Sequence, residues 1–130
     1  MPVHLNHTIV AAHDKYESAR FLTEMLGLTA EPVEFGPFVG VEVDNGVTFD
    51  FADDHHESEI TPQHYAFLVT EAEFDEIYGR IVERGLEHWA DPFQNQPGAI
   101  NHNDGGRGVY WRDPAGHFLE IITRPYGSGD

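Results

Sequence analysis

The chain has no cysteine, which excludes structural disulfides and thiolate metal sites and leaves His, Asp and Glu as the side chains able to hold a metal. Basic residues are scarce, with 7 Lys and Arg against 23 Asp and Glu, for a formal net charge of −16. Such a field repels a phosphate backbone and raises the local cation concentration, so nucleic acid is set aside as a partner. No apolar run approaches a membrane-spanning length, and the start, Met1-Pro2-Val3-His4, shows neither a basic region nor the apolar segment of an export signal. The expectation is a soluble, cytoplasmic protein with no membrane partner. At 130 residues and 40% hydrophobic content, one domain spanning 1–130 with a single core is expected.

What is present falls into two halves with the same order of elements. In the first, an apolar strand over 3–11 is followed by the acidic helix start Asp14 to Glu17, then by Tyr16, Ala19, Leu22, Met25 and Leu26 at helical spacing and a stop at Gly27. Three strands over 29–35, 38–43 and 47–52 follow, with Asn45-Gly46 as a hairpin signal. In the second half a strand over 64–70 leads into the capping box Thr70-Glu71-Ala72-Glu73 and the helical face Phe74, Ile77, Tyr78, Ile81 and Val82, which ends at Gly85. Strands follow over 86–90, 109–112 and around Glu120. The fold class read from this order is α+β, two βαβββ modules over 1–58 and 62–127 with curved mixed sheets that line a cleft.

Three side chains do not suit the strands that carry them. Glu120 sits in the run His117-Phe118-Leu119-Glu120-Ile121-Ile122, which otherwise reads as a buried strand, where an isolated carboxylate must be protonated, paired or ligated to a metal. His7 in Leu5-Asn6-His7-Thr8-Ile9 and His64 in His64-Tyr65-Ala66-Phe67-Leu68 are imidazoles on apolar strands at corresponding positions of the two halves. Asp50, in Thr48-Phe49-Asp50-Phe51, falls where Glu120 falls in the other half. Two histidines with one or two carboxylates suit Fe²⁺, Mn²⁺, Ni²⁺, Co²⁺ or Zn²⁺ and leave coordination positions open. Taken singly, each has an ordinary structural reading, such as Glu120 paired with Arg112 or Arg124.

These residues resemble the vicinal oxygen chelate superfamily, which holds glyoxalase I, extradiol dioxygenases, fosfomycin-resistance enzymes and bleomycin-binding proteins. The resemblance rests on His7 in its strand, on Gln63-His64-Tyr65-Ala66-Phe67, and on the stretch from Gly106 to Glu120, whose Asp113-Pro114-Ala115-Gly116-His117 turn is the most specific part. It implies a divalent metal held by His7, His64 and Glu120, with Asp50 at the place of a fourth ligand or acting as a base. It also implies a homodimer. The function it implies is a metal-dependent enzyme acting on a small oxygen-rich organic substrate, either a glyoxalase-type lyase or isomerase or a dioxygenase. Two alternatives are a metal-free drug- or metabolite-sequestering protein of bleomycin-resistance type and an epoxide-opening enzyme of fosfomycin-resistance type.

Further candidates surround this set. Tyr110 is a candidate catalytic donor, and Arg112, two residues along the same strand, shares its face. The segment 94–108 is long for a connection and reads as a lid, with His102 within it as an acid or base for the substrate. Phe51 and Trp89 are candidate walls of the cleft. The pair His55 and His56, in an acidic loop, reads as a solvated turn.

Overall fold

A computed structural model of the protein describes residues 2–54 and 59–129; the turn expected at His55 and His56 lies outside the described residues. The chain divides into two compact units, Met1–Thr61 and Pro62–Asp130. Among the described residues, no helix is long and apolar enough to cross a membrane.

In the first unit, strand β1 (His7–Ala12) is followed by helix α1 (Lys15–Leu26) and strands β2 (Val33–Phe35), β3 (Phe38–Glu42) and β4 (Thr48–Asp53). The sheet order is β1-β4-β3-β2, with β1 parallel to β4 and the other pairs antiparallel. The strand expected from residue 3 begins only at His7, because its partner β4 begins at Thr48, whose N–H reaches back to the Asn6 carbonyl. Helix α1 starts where Asp14 accepts from the backbone N–H groups of Tyr16 and Glu17, a cap worth about 1 kcal/mol, and stops at Gly27, whose φ of 69° suits a residue without Cβ.

The second unit repeats this plan. Strand β5 (His64–Leu68), helix α2 (Glu71–Glu83) and strands β6 (His88–Trp89), β7 (Gly108–Arg112) and β8 (Phe118–Ile122) form a sheet ordered β5-β8-β7-β6, with β5 parallel to β8. The capping box is formed as expected: Thr70 Oγ1 accepts from the Glu73 N–H, and Glu73 accepts from the Thr70 N–H. The expected α+β fold of two βαβββ modules with mixed sheets is therefore present.

Because side chains alternate along a strand, each sheet has two faces of different character. One face is apolar and buried: Val10, Ala12, Val39, Val41, Phe49 and Phe51 in the first unit, and Val109, Trp111, Leu119 and Ile121 in the second. The helices bring Leu22 and Met25, and Phe74, Ile77 and Ile81, to the cores. Burying one such side chain contributes roughly 1.5–3 kcal/mol, which fixes the register, since a slip of one residue would put the opposite set inside. The other face of each sheet carries the polar anomalies: His7 and Asp50 in the first unit, His64 and Glu120 in the second.

Candidate functional site

The two units hold their acid and histidine in the same register. Ile9 lies opposite Asp50 with His7 two residues earlier, and Ala66 lies opposite Glu120 with His64 two residues earlier. The repeat legible in the sequence is thus a repeat of placement on a sheet face.

In the second unit the pair is made. His64 Nε2 stands 2.9 Å from Glu120 Oε1, and Glu120 is fully buried while the His64 side chain is about half exposed. Facing a carboxylate oxygen, Nε2 is the donor in this metal-free arrangement. The other oxygen of Glu120, Oε2, accepts a hydrogen bond from the Tyr126 hydroxyl. Tyr126 in turn lies 2.9 Å from the Tyr110 hydroxyl, and the Tyr110 ring stacks on His64 with centroids 5.6 Å apart. Burial first, then the hydrogen bonds to Tyr126 and Glu120, push the Tyr110 phenol well above its ordinary range. Tyr126 is shifted the same way by burial and by Glu120. Both phenols are therefore hydrogen-bond donors at neutral pH.

The turn between β7 and β8 sets this geometry. Asp113 is buried and accepts from the backbone N–H groups of Ala115 and His117, while the buried His117 accepts at Nδ1 from the Gln63 N–H. Phe118 N–H donates to the Gln63 carbonyl, so the first residues of β5 and β8 are locked side by side. That lock delivers His64 next to Glu120. Burial pushes the Asp113 carboxyl above its usual range, and the N–H groups of His117 and Ala115 oppose the shift.

In the first unit the corresponding groups are set differently. Asp50 is 5% exposed and its Oδ1 is buried with no hydrogen-bond partner. Ser18 Oγ and Trp111 Nε1 share that condition among the described residues, but of the three only Asp50 is a carboxylate, on the sheet face opposite to Phe49 and Phe51. Gly40 makes room for it: a Cβ there would lie 3.2 Å from Asp50 Oδ1. His7 is exposed, and its Nδ1 lies 2.7 Å from Asn6 Oδ1. An amide oxygen only accepts, so Nδ1 is the donor in this contact and Nε2 points away from Asn6 Oδ1.

The remaining candidates divide. Trp89 lies opposite Tyr110, and Arg112 opposite Phe118, so both share the face of Glu120, with the Arg112 guanidinium 5.5 Å from the Trp89 ring and 5.1 Å from the Phe118 ring. Glu120 thus pairs with His64 and Tyr126 rather than with Arg112, and Arg124 donates to the Ser128 carbonyl. Phe51 is on the buried face with Val10 and Val39, opposite to Asp50, where it packs the core. His102 is exposed, just before a short 3₁₀ turn at Asn103–Gly105. The segment expected as a lid is tied down: Asp91 accepts from the N–H groups of Asn95 and Gln96, Gly98 donates to the His88 carbonyl, and Asn101 and Gly108 exchange two backbone bonds. Tyr126 was not legible, since nothing about a tyrosine in a polar terminal stretch marks it as a neighbour of Glu120.

Among the described residues, no three His, Asp or Glu side chains are grouped closely enough to hold a metal by themselves. The donor chemistry nonetheless fits one. Within the second unit, Glu120 Oε1 and His64 Nε2 lie side by side at the separation of two ligands on one ion.

Comparison with known proteins accords with this geometry. A family model described as Glyoxalase/Bleomycin resistance protein/Dioxygenase superfamily matches residues 4–121. The solved structure of the oxidase ChaP-H2 is 63% identical, with a TM-score of 0.93 and 100% of both chains covered. That of the oxidase ChaP-H1 is also 63% identical, with a TM-score of 0.91, covering 97% of this chain and 99% of its own. The glutathione transferase FosA of Serratia marcescens is 31% identical over 122 residues, which are 90% of this chain and 78% of that protein. All three relatives are named as enzymes, which bears out the expectation of an enzyme. The chain belongs to the glyoxalase, bleomycin resistance protein and dioxygenase superfamily.

Proposed function

We propose that the protein is a metal-dependent oxidising enzyme of this superfamily, acting on a small aromatic molecule with adjacent oxygen atoms. The observation that carries the reading is the His64–Glu120 pair, held at 2.9 Å with the acid fully buried and the imidazole about half exposed. A buried carboxylate is costly unless it is hydrogen-bonded, paired or metal-bound, and 63% identity to two oxidases over nearly the whole chain supports oxidation over isomerisation. The ligand set in this reading is His7, His64 and Glu120, with Asp50 as a further ligand or a base.

A divalent ion so held supplies a Lewis acid with open positions for substrate oxygens. The protein's own residues do the rest. His64 would ligate through Nε2 as a neutral imidazole with its N–H on Nδ1, so the proton that now faces Glu120 Oε1 would be carried on the other ring nitrogen. Tyr110 offers a hydroxyl, and Arg112, layered on Trp89 and Phe118, offers a positive charge beside flat rings. The reading extends to a homodimer: β1 and β5 are edge strands that carry Ile9 at 60% and Leu68 at 61% exposure, apolar surface of a kind that partners cover.

Protein purified without chelator should carry a divalent ion, have the mass of two chains by light scattering, and consume oxygen with members of a catechol and polyhydroxylated-arene panel. His64→Ala and Glu120→Ala should lose the ion. Retention of the ion by both variants, or no oxygen uptake across the panel, would sink the proposal. The 31% identity to FosA favours a second reading, thiol transfer to an epoxide antibiotic; turnover of fosfomycin with glutathione and without oxygen uptake would select it.

A further inference from the structure

The carboxy-terminal stretch after β8 is bound tightly although its composition, Arg124-Pro125-Tyr126-Gly127-Ser128-Gly129, suggests a loose end. Asp104 Oδ1, in the 3₁₀ turn between β6 and β7, accepts from the backbone N–H groups of Gly127 at 3.1 Å and Gly129 at 3.4 Å. Asp104 has φ 58°, a left-handed conformation that Asp tolerates better than most residues. Two glycines allow the close contact. A Cβ on Gly129 would run into the Asp104 carbonyl, and a Cβ on Gly106 would lie 2.5 Å from Thr123 Oγ1 and 2.9 Å from Arg124 Cγ. Within the stretch, Ser128 N–H donates to the Pro125 carbonyl and Arg124 to the Ser128 carbonyl. The segment is a strap fastened at both ends.

Tyr126 joins it to the site. The hydroxyl reaches Glu120 Oε2, whereas the oxygen beside His64 Nε2 is Oε1. Tyr126 therefore does not occupy the space between the two ligands; it grips the acid from behind, and Tyr110, which bonds Tyr126 and stacks on His64, ties the acid's brace to the imidazole. An outer group of this kind fixes which oxygen a ligand offers and its orientation, and removing one typically costs 10–100-fold in metal affinity.

We propose that the strap of residues 124–129 is a working part of the site, with Tyr126 as a positioning residue that fixes Glu120 so that Oε1 is presented beside His64, and with Asp104 and the Gly129 contact as the clamp that keeps Tyr126 there. This rests on the reading of His64 and Glu120 as metal ligands.

The test is Co²⁺ binding to the full chain, read by calorimetry and by the visible absorption of the bound ion. Tyr126→Phe removes only the hydroxyl. Gly129→Ala keeps Tyr126 and loosens the clamp. Each should weaken Co²⁺ binding about tenfold or more and shift the absorption bands, and Gly129→Ala should also speed amide hydrogen exchange in the strap. A merely structural strap would lower the melting temperature and leave the bands of the bound ion unchanged. Parental affinity and spectrum in both variants, or tighter binding in Tyr126→Phe, overturns the proposal. If His64→Ala and Glu120→Ala bind Co²⁺ as the parent does, the ligand assignment fails instead, so the two failures are separable.

Discussion

The two units place a histidine and an acid at the same points of the same sheet topology, yet only the second brings them into contact. Glu120 has both oxygens engaged, by His64 and Tyr126, while Asp50 buries an oxygen with no partner. Register is shared; side-chain length and surroundings are not. The second unit adds a buried Asp113 turn and a terminal strap around its acid. In the first unit the corresponding turn, Val43 to Val47, is closed by backbone bonds, and Asp44 is exposed. A duplicated fold thus supplies two equivalent positions, and supports added to one of them fix the orientation of the acid there.

The turns give the sharpest way to break this comparison. Asp113→Ala removes an acceptor of two buried backbone N–H groups and should destabilise the protein by about 2–3 kcal/mol in denaturant unfolding, whereas Asp44→Ala should stay within about 0.5 kcal/mol. Equal effects would mean that the second turn does not support its sheet in the manner described.

A smaller effect of opposite sign is expected at the unpartnered acid. Asp50→Asn keeps the shape and removes a buried charge, so the metal-free protein should gain about 1 kcal/mol in stability while binding Co²⁺ more weakly. A loss of stability, or unchanged metal affinity, would show that Asp50 is a structural residue.

These contrasts also explain what the sequence could and could not disclose. The pseudo-repeat was legible because it is written in local signals: Asn45-Gly46, the Thr70 to Glu73 capping box, and glycines closing both helices. His7, His64, Asp50 and Glu120 stood out as polar residues on apolar strands, and strand parity correctly put Arg112 on the face of Tyr110. Phe51 did not follow the reading because an aromatic on a strand fits core and cleft equally well; only its register with Val10 decides. The segment 94–108 read as a lid because its Asn and Gly content gives no hint of the bonds that Asp91, Asn101 and Gly108 make within it. Tyr126 was invisible for the same reason. Its contact with Glu120 depends on Asp104 and Gly129, whose meeting no local pattern encodes.

The least effect is expected at Arg107, which bonds Glu71 at 2.7 Å and Asp75 at 2.9 Å, joining the segment before β7 to the start of α2. Hydrogen bonds from Thr123 and then Arg107 hold the Glu71 carboxyl below its usual range. A lowered carboxyl contributes stability that is present above its unfolded value and lost as pH falls through its folded one. Arg107→Gln should therefore be slightly less stable than the parent at pH 7, with the gap closing as pH falls below the ordinary carboxylate range; a gap that does not change with pH would contradict this ion pair's role.

The central claim is most directly tested by anomalous diffraction from crystals grown with Co²⁺ or Mn²⁺. The account predicts an anomalous peak within bonding distance of both His64 Nε2 and Glu120 Oε1, with Tyr126 still on Glu120 Oε2. Peaks elsewhere and none at Glu120, in crystals whose protein binds the ion in solution, would contradict it.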